Sequence, residues 1–165
     1  MAKLISKTYG EALFELAVEE NKTGLFLEEV GELLKVIEQN QDFGQFMNHP
    51  KIPKEEKIAV MESIFRDRID KELLGFLVTI VEKDRYSEIE EILKYVVDSI
   101  KEYRKIGVAY VTTAIPLQEN EKKDIEAKLL NTTKYETLEC HYQVDEGLIG
   151  GVKQLCFDIL FLIFL

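Results

Sequence analysis

Cysteine is scarce: Cys140 and Cys156 are the only two among 165 residues. Neither belongs to a CxxC pair and His141 is the one histidine close by, so the sequence offers neither a structural zinc site nor a disulfide framework, and a reducing, cytosolic setting fits it better. Basic residues are also few, 21 Lys and Arg against 31 Asp and Glu, which leaves a net charge of −10. A surface this acidic repels phosphate backbones and anionic lipid, so nucleic acid is not expected as a partner and basic or mixed-charge protein surfaces are. No apolar run reaches the roughly 20 residues a helix needs to cross a bilayer, and no direct membrane insertion is expected. The longest run, Leu155 to Leu165, is broken by Asp158. The first residues, Met1-Ala2-Lys3-Leu4-Ile5, turn amphipathic at once and do not read as a signal peptide. GxGxxG, GxSxG, HExxH and a phosphate loop are all missing. Gly147-Leu148-Ile149-Gly150-Gly151 lacks the context of a nucleotide site and reads as a turn that needs positive φ.

What is present is a core. Hydrophobic residues make up 46% of the chain and charged residues 32%, a balance suited to a folded domain. Ile5, Tyr9, Ala12, Leu13, Leu16 and Ala17 recur at helical spacing on an opening helix that ends at Asn21-Lys22-Thr23-Gly24, with Thr23 a candidate N-cap for the next helix. Phe26, Val30, Leu33, Leu34 and Ile37 mark that second helix. Phe43, Phe46 and Met47 mark a short third, broken at His49-Pro50 because the residue before proline avoids the helical region. Pro53 suits the first position of a fourth helix, with Glu55 and Glu56 favouring its positive end and Ile58, Met61 and Phe65 facing inward. Asp70 is the expected N-cap of a fifth helix, which carries no charge from Leu73 through Val81 and so reads as central. Ser87-Glu88-Ile89-Glu90 has the spacing of a capping box before a sixth helix with an apolar stripe from Ile89 to Tyr103. These elements predict a six-helix bundle over 1–105.

The period changes after Tyr103. Val108 to Ile115 is β-branched and uncharged, a buried strand ended by Pro116. Leu117, Ile125, Leu129 and Leu130 then trace a helix, and Leu138, Cys140, Tyr142 and Val144 alternate with polar residues as a half-buried strand. Strand, helix, strand in about 40 residues permits a βαβ crossover. The fold expected is mainly α, the bundle followed by a small, incomplete α/β domain over 106–165.

Chemistry is poorly represented. His141 with Asp145 and Glu146 is the best acid–base candidate, but an alternating strand followed by a turn explains all three. His49 reads as a solvated helix end, and Glu55-Glu56 and Glu90-Glu91 as solvated faces. Tyr9, Phe14 and Phe26 read first as core and second as the walls of a groove for a partner helix. No catalytic, cofactor-binding or metal site is expected.

In order along the chain, Tyr9-Gly10-Glu11-Ala12-Leu13-Phe14-Glu15-Leu16-Ala17, Phe46-Met47-Asn48-His49-Pro50 with Lys57 and Phe65, Phe76-Leu77, Arg85, Ile92 and Tyr95 all fall in register with one family. Val111 to Leu117 and Val144-Asp145-Glu146-Gly147-Leu148-Ile149-Gly150-Gly151 complete the series. The chain resembles the δ subunit of bacterial F-type ATP synthase, a relative of the mitochondrial oligomycin-sensitivity-conferring protein. The resemblance implies a non-catalytic stator subunit, without cofactor, that ties the α/β hexamer to the peripheral stalk at the cytoplasmic face of the plasma membrane. It implies that residues 1–105 receive the N-terminal helix of an α subunit between the first and fifth helices, for which Tyr9, Ala12, Leu16, Leu77 and Val81 are the expected contacts. The small Ala12 and Gly75 would allow close approach. The second domain is implied to meet the b subunits. Residues 152–165 depart from the family, which continues with a strand, a Gly-Asp turn, a strand and a basic helix, so an altered reading frame near Gly151 and a domain short of its closing strand and helix are expected. The rival readings are a helical adaptor of another pathway and a small enzyme using His141 and Asp145.

Overall fold

Two stripes on the first helix organise the N-terminal part of the computed structural model, which describes residues 2–145, 152–156 and 159–163. On α1 (Ala2–Glu19) Ser6, Gly10, Leu13 and Ala17 are buried, while Ile5, Tyr9 and Leu16 are half-buried and Ala12 is exposed beside them. The i, i+4, i+7, i+11 spacing of the first set is the buried face of an amphipathic helix. Asn21 adopts φ 54° and ends α1, with Lys22 N–H donating to the Ala17 carbonyl and Asn21 N–H to that of Val18. This is a Schellman-type stop in which asparagine takes the left-handed position usually given to glycine.

Next come α2 (Thr23–Gln39), α3 (Gln41–Asn48), α4 (Lys54–Phe65), α5 (Lys71–Glu82), a 3₁₀ turn at Tyr86–Glu88 and α6 (Ile89–Tyr103). Phe26, Val30, Leu33, Met47, Met61, Phe65, Leu73, Leu77, Ile80, Ile92, Leu93 and Ile100 form one hydrophobic core with Leu13 and Ala17. Each such large side chain contributes roughly 1.5–3 kcal/mol relative to exposure.

Three expected caps differ. Lys22, not Thr23, precedes α2, and Thr23 is its first residue. Pro53 stands in the extended region just before α4 and Lys54 is the first helical residue. The capping box at Ser87 does not form, because the chain turns through a 3₁₀ helix there and Ser87 Oγ donates to neighbouring Glu88 Oε2 at 2.6 Å. Asp70 caps α5 as expected, its Oδ1 accepting from Glu72 N–H at 2.9 Å.

The chain divides into two compact units, Met1–Ile100 and Lys101–Leu165. In the second, β1 (Ile106–Thr113) and β2 (Thr137–Val144) pair in parallel, with Ala109 opposite Cys140 and Val111 opposite Tyr142. The connecting α7 (Glu119–Thr132) packs Ile125 and Leu129 against Ala109 and Val111. The strand is thus two residues earlier than its apolar run suggested. Ala114 and Ile115 fall in a bend, where the Ile115 carbonyl accepts from Thr113 Oγ1 at 2.7 Å.

The largest departure is in the tail. β3 (Val152–Cys156) runs antiparallel beside β1, and β4 (Ile159–Ile163) antiparallel beside β3, giving the order β2-β1-β3-β4. A strand does close the free edge of β1, contrary to expectation, since backbone pairing asks for extended chain and not for a particular side-chain set. The glycine turn at 147–151 and Glu146 lie outside the described residues.

Candidate protein-docking face

The α5 helix is apolar all round, yet only part of it is covered. Leu73, Leu74, Leu77, Ile80 and Val81 are buried. Phe76, Val78 and Thr79 are half-buried and Gly75 is exposed. A Cβ placed on Gly75 would meet nothing within 4 Å. Thr79 Oγ1 donates back to the Gly75 carbonyl at 2.9 Å, so its hydroxyl is satisfied within the helix and its methyl remains for contact.

The partly covered rows of α1 and α5 meet. The rings of Tyr9 and Phe76 are 6.5 Å apart and inclined at 69°, an edge-to-face contact. Tyr9, Ala12 and Leu16 continue one side, and Gly75, Phe76 and Thr79 the other, at the i, i+3, i+4, i+7 steps that keep residues on one helical face. The result is a shallow apolar face with small residues on both sides. Of the five contacts expected from the sequence, Tyr9, Ala12 and Leu16 lie on it. Leu77 and Val81 do not reach it: they are 1% and 3% exposed and belong to the core beneath. The surface residues of α5 are instead Gly75, Phe76 and Thr79. An uncharged helix gives no signal as to which side stays open, so the burial of Leu77 and Val81 in this chain could not be read from periodicity.

α1 is fixed from behind. Gly10 abuts Tyr95 of α6, where a Cβ would overlap the ring. Tyr95 Oη donates to Glu11 Oε1 at 3.3 Å, and Ser6 Oγ to Glu91 Oε2 at 3.1 Å. The start of α5 is fixed by charge. Lys22 Nζ lies 2.9 Å from Glu72 Oε2 and 3.1 Å from Asp70 Oδ2, and Asp70 N–H donates to Glu29 Oε2 at 2.8 Å. Hydrogen bonding with the Asp70 carboxyl, and next with Lys22, holds the Glu72 carboxyl down at about 2. The same contacts, Glu72 first and Asp70 second, raise the Lys22 ammonium above its ordinary value.

The acid–base candidate does not assemble into a site. His141 is exposed on β2 with its ring stacked on Tyr110, 5.0 Å between centroids, and Asp145 follows the strand with its N–H donating to the Thr113 carbonyl at 2.8 Å. His49 is exposed, and its Nδ1 accepts from Lys51 N–H at 3.2 Å. Among the described residues no group of His, Cys, Asp and Glu could hold a metal ion, and no helix is long and apolar enough to cross a membrane.

The family model for the ATP synthase delta (OSCP) subunit matches residues 5–155. The chain belongs to that family. It is 48% identical over 152 residues to a protein of Lachnoclostridium phytofermentans named ATP synthase subunit delta, covering 92% of this chain and 84% of that one. A Clostridium botulinum protein of the same name is 32% identical over the same shares. In a cryo-EM structure of the Toxoplasma gondii mitochondrial ATP synthase hexamer, one chain is similar with a TM-score of 0.69 at 19% identity, over 91% of this chain and 83% of that chain, which supports the fold. A delta/OSCP subunit is a structural component of ATP synthase and not a catalytic one, and its role is that of a stator. Both rival readings, the adaptor of another pathway and the enzyme built on His141 and Asp145, are set aside by this membership. The chain's partners are ATP synthase subunits and its place is a membrane-associated complex.

Proposed function

We propose that the α1–α5 face receives the N-terminal helix of an ATP synthase α subunit, and that residues 106–165 meet the b subunits of the peripheral stalk. In this reading 1–105 acts as one six-helix receiving domain. The α/β hexamer is thereby prevented from turning with the rotor, and proton-driven rotation is coupled to ATP synthesis at the cytoplasmic face of the bacterial plasma membrane. The chain carries torque as a tether, so the property it must supply is a slow off-rate under load.

The observation that carries the reading is the row Tyr9, Ala12 and Leu16 against Gly75, Phe76 and Thr79. An uncharged helix left partly uncovered, next to an apolar row with small residues, matches the needs of an amphipathic helix laid into a groove. Calorimetric titration of the full chain with a peptide of the cognate α subunit's N-terminus tests it. One-to-one binding, weakened at least tenfold by Ala12→Trp, is the expected result. Absence of binding by the folded chain would remove the groove assignment.

A further inference from the structure

The charge along the α1 edge of the Tyr9–Phe76 face is unbalanced. Glu15 follows Ala12 by three residues and Glu19 follows Leu16 by three, the step that makes neighbours on a helix surface, so both carboxylates stand beside the apolar row. Both are exposed, and neither has an ion-pair partner among the described residues. The nearby cations are committed elsewhere. Lys7 Nζ lies 3.5 Å from Glu11 Oε1 and Lys71 Nζ 3.4 Å from Glu72 Oε1. Lys22 Nζ is shared by Glu72, Asp70 and Glu20 at 2.9, 3.1 and 3.9 Å. Glu11, the preceding carboxylate of α1, is answered by Lys7 and by the Tyr95 hydroxyl of α6; Glu15 and Glu19, beside the open row, are answered by nothing in the first unit.

This arrangement works against the free helix. Glu15 and Glu19 are four residues apart, where like charges on a helix repel. Glu19 is also the last residue of α1, where a carboxylate opposes the negative end of the helix dipole. Glutamine at both positions would keep the edge wet without either penalty. A cation laid along the edge would remove both penalties at once. We infer that the helix received on this face is basic along one edge, with Lys or Arg residues three or four positions apart lying over Glu15 and Glu19 while its apolar face covers Tyr9, Ala12 and Leu16. The inference rests on the docking reading above and adds to it the charge of the partner and the side on which that charge lies. The two carboxylates then steer the approach of the helix and set its rotation about its own axis, and the apolar row holds it.

The test is calorimetric titration of the full chain with the peptide of the cognate α subunit's N-terminus, at about 50 and about 500 mM NaCl, where exposed charges are weakly and strongly screened. Affinity for the parent chain is expected to fall at least tenfold at the higher salt. The double variant Glu15→Gln, Glu19→Gln is expected to bind at least fivefold less tightly at low salt and to lose most of the salt dependence. Its thermal melt is expected at or above that of the parent, since a like-charge pair has been removed, so the loss of affinity is not a loss of fold. A peptide whose Lys and Arg are replaced by Glu should bind the parent poorly and regain affinity for the Glu15→Lys, Glu19→Lys chain. Binding by the parent that is indifferent to salt, unchanged affinity in the double glutamine variant, or undiminished binding of a peptide with every Lys and Arg replaced by Gln would overturn the inference and leave the docking face standing. No binding of the cognate peptide by the folded parent at either salt would remove the docking reading and this inference together.

Discussion

The Tyr9 ring meets the Phe76 ring edge-on at 6.5 Å, and this one contact brings the partly covered rows of α1 and α5 side by side. Neighbouring positions on α5 therefore differ in burial, and two alanine variants separate the proposed docking role from packing. Phe76→Ala removes a half-buried ring and an aromatic pair worth about 0.5–1.5 kcal/mol, and is expected to weaken binding of the α-subunit peptide at least tenfold. Leu77→Ala hollows the core and is expected to cost about 2–5 kcal/mol in chemical denaturation, while the folded fraction binds the peptide within twofold of the parent. The opposite ranking in the same two measurements would move the docking surface elsewhere.

Why the sequence named Leu77 and not Phe76 is instructive. Periodicity locates a helix by contrast between apolar and polar faces, and from Leu73 to Val81 there is no contrast. On α1 the glutamates supply it, and the helical face that carries Tyr9, Ala12 and Leu16 beside the buried row was legible there. Local chemistry was legible where a side chain acts on its own backbone, as at Asp70, and failed at Ser87, where tertiary packing of Tyr86 draws the chain into a 3₁₀ turn. The β1–α7–β2 unit was readable from the change of period alone. The pairing of Val152–Cys156 with β1 depends on a free strand edge, which is a property of the folded sheet and not of the tail's residues.

Gly10 predicts a second outcome. Its Cα lies where α1 crosses α6, and the Tyr95 ring occupies the space a Cβ would take. Alanine is normally the better helix former by about 1 kcal/mol, so an isolated helix would gain from Gly10→Ala. Here the ring must move, and its hydrogen bond to Glu11 must stretch or break. Net destabilisation of roughly 1–3 kcal/mol is expected, the range for overpacking. Gly75→Ala, with open space at its Cβ, is expected to be stabilising, so a pair of denaturation curves reads both signs in one protein.

The cluster at the start of α5 makes stability depend on pH in a defined window. The Glu72 carboxyl is lowered from its ordinary 4.5 to about 2, so the stability it contributes is fully present above 4.5 and disappears as pH falls through about 2. The Lys22 ammonium is raised, so its contribution is complete below 10.5 and is lost only in more alkaline solution. Glu72→Gln is therefore expected to melt below the parent at pH 7 and to converge with it by pH 2. Thermal melts between pH 7 and 2 check this, and a difference that persists unchanged at pH 2 would show that the carboxylate is not the stabilising species.

The cap of α7 can be improved by a shorter side chain. Gln118 precedes the helix in the extended region, its side chain accepting from Glu121 N–H while Glu121 Oε2 accepts from Gln118 N–H at 2.7 Å. Glutamine is an unusual residue for this position, since its longer chain must be held still to reach the backbone. Serine makes the same reciprocal pair with fewer torsions to fix, and the sequence would then read Ser-x-x-Glu, the capping-box pattern. Gln118→Ser is expected to stabilise α7 and Glu121→Ala to destabilise it, by about 0.5–1 kcal/mol each way. Hydrogen exchange of the α7 amides is the appropriate readout, because Ile125 and Leu129 join this helix to Ala109 and Val111. Protection should rise in the first variant and fall in the second, and the change should extend to the β1 amides if helix and strand open together. Confinement of the change to the first turn of α7 would mean that the helix frays without loosening the sheet.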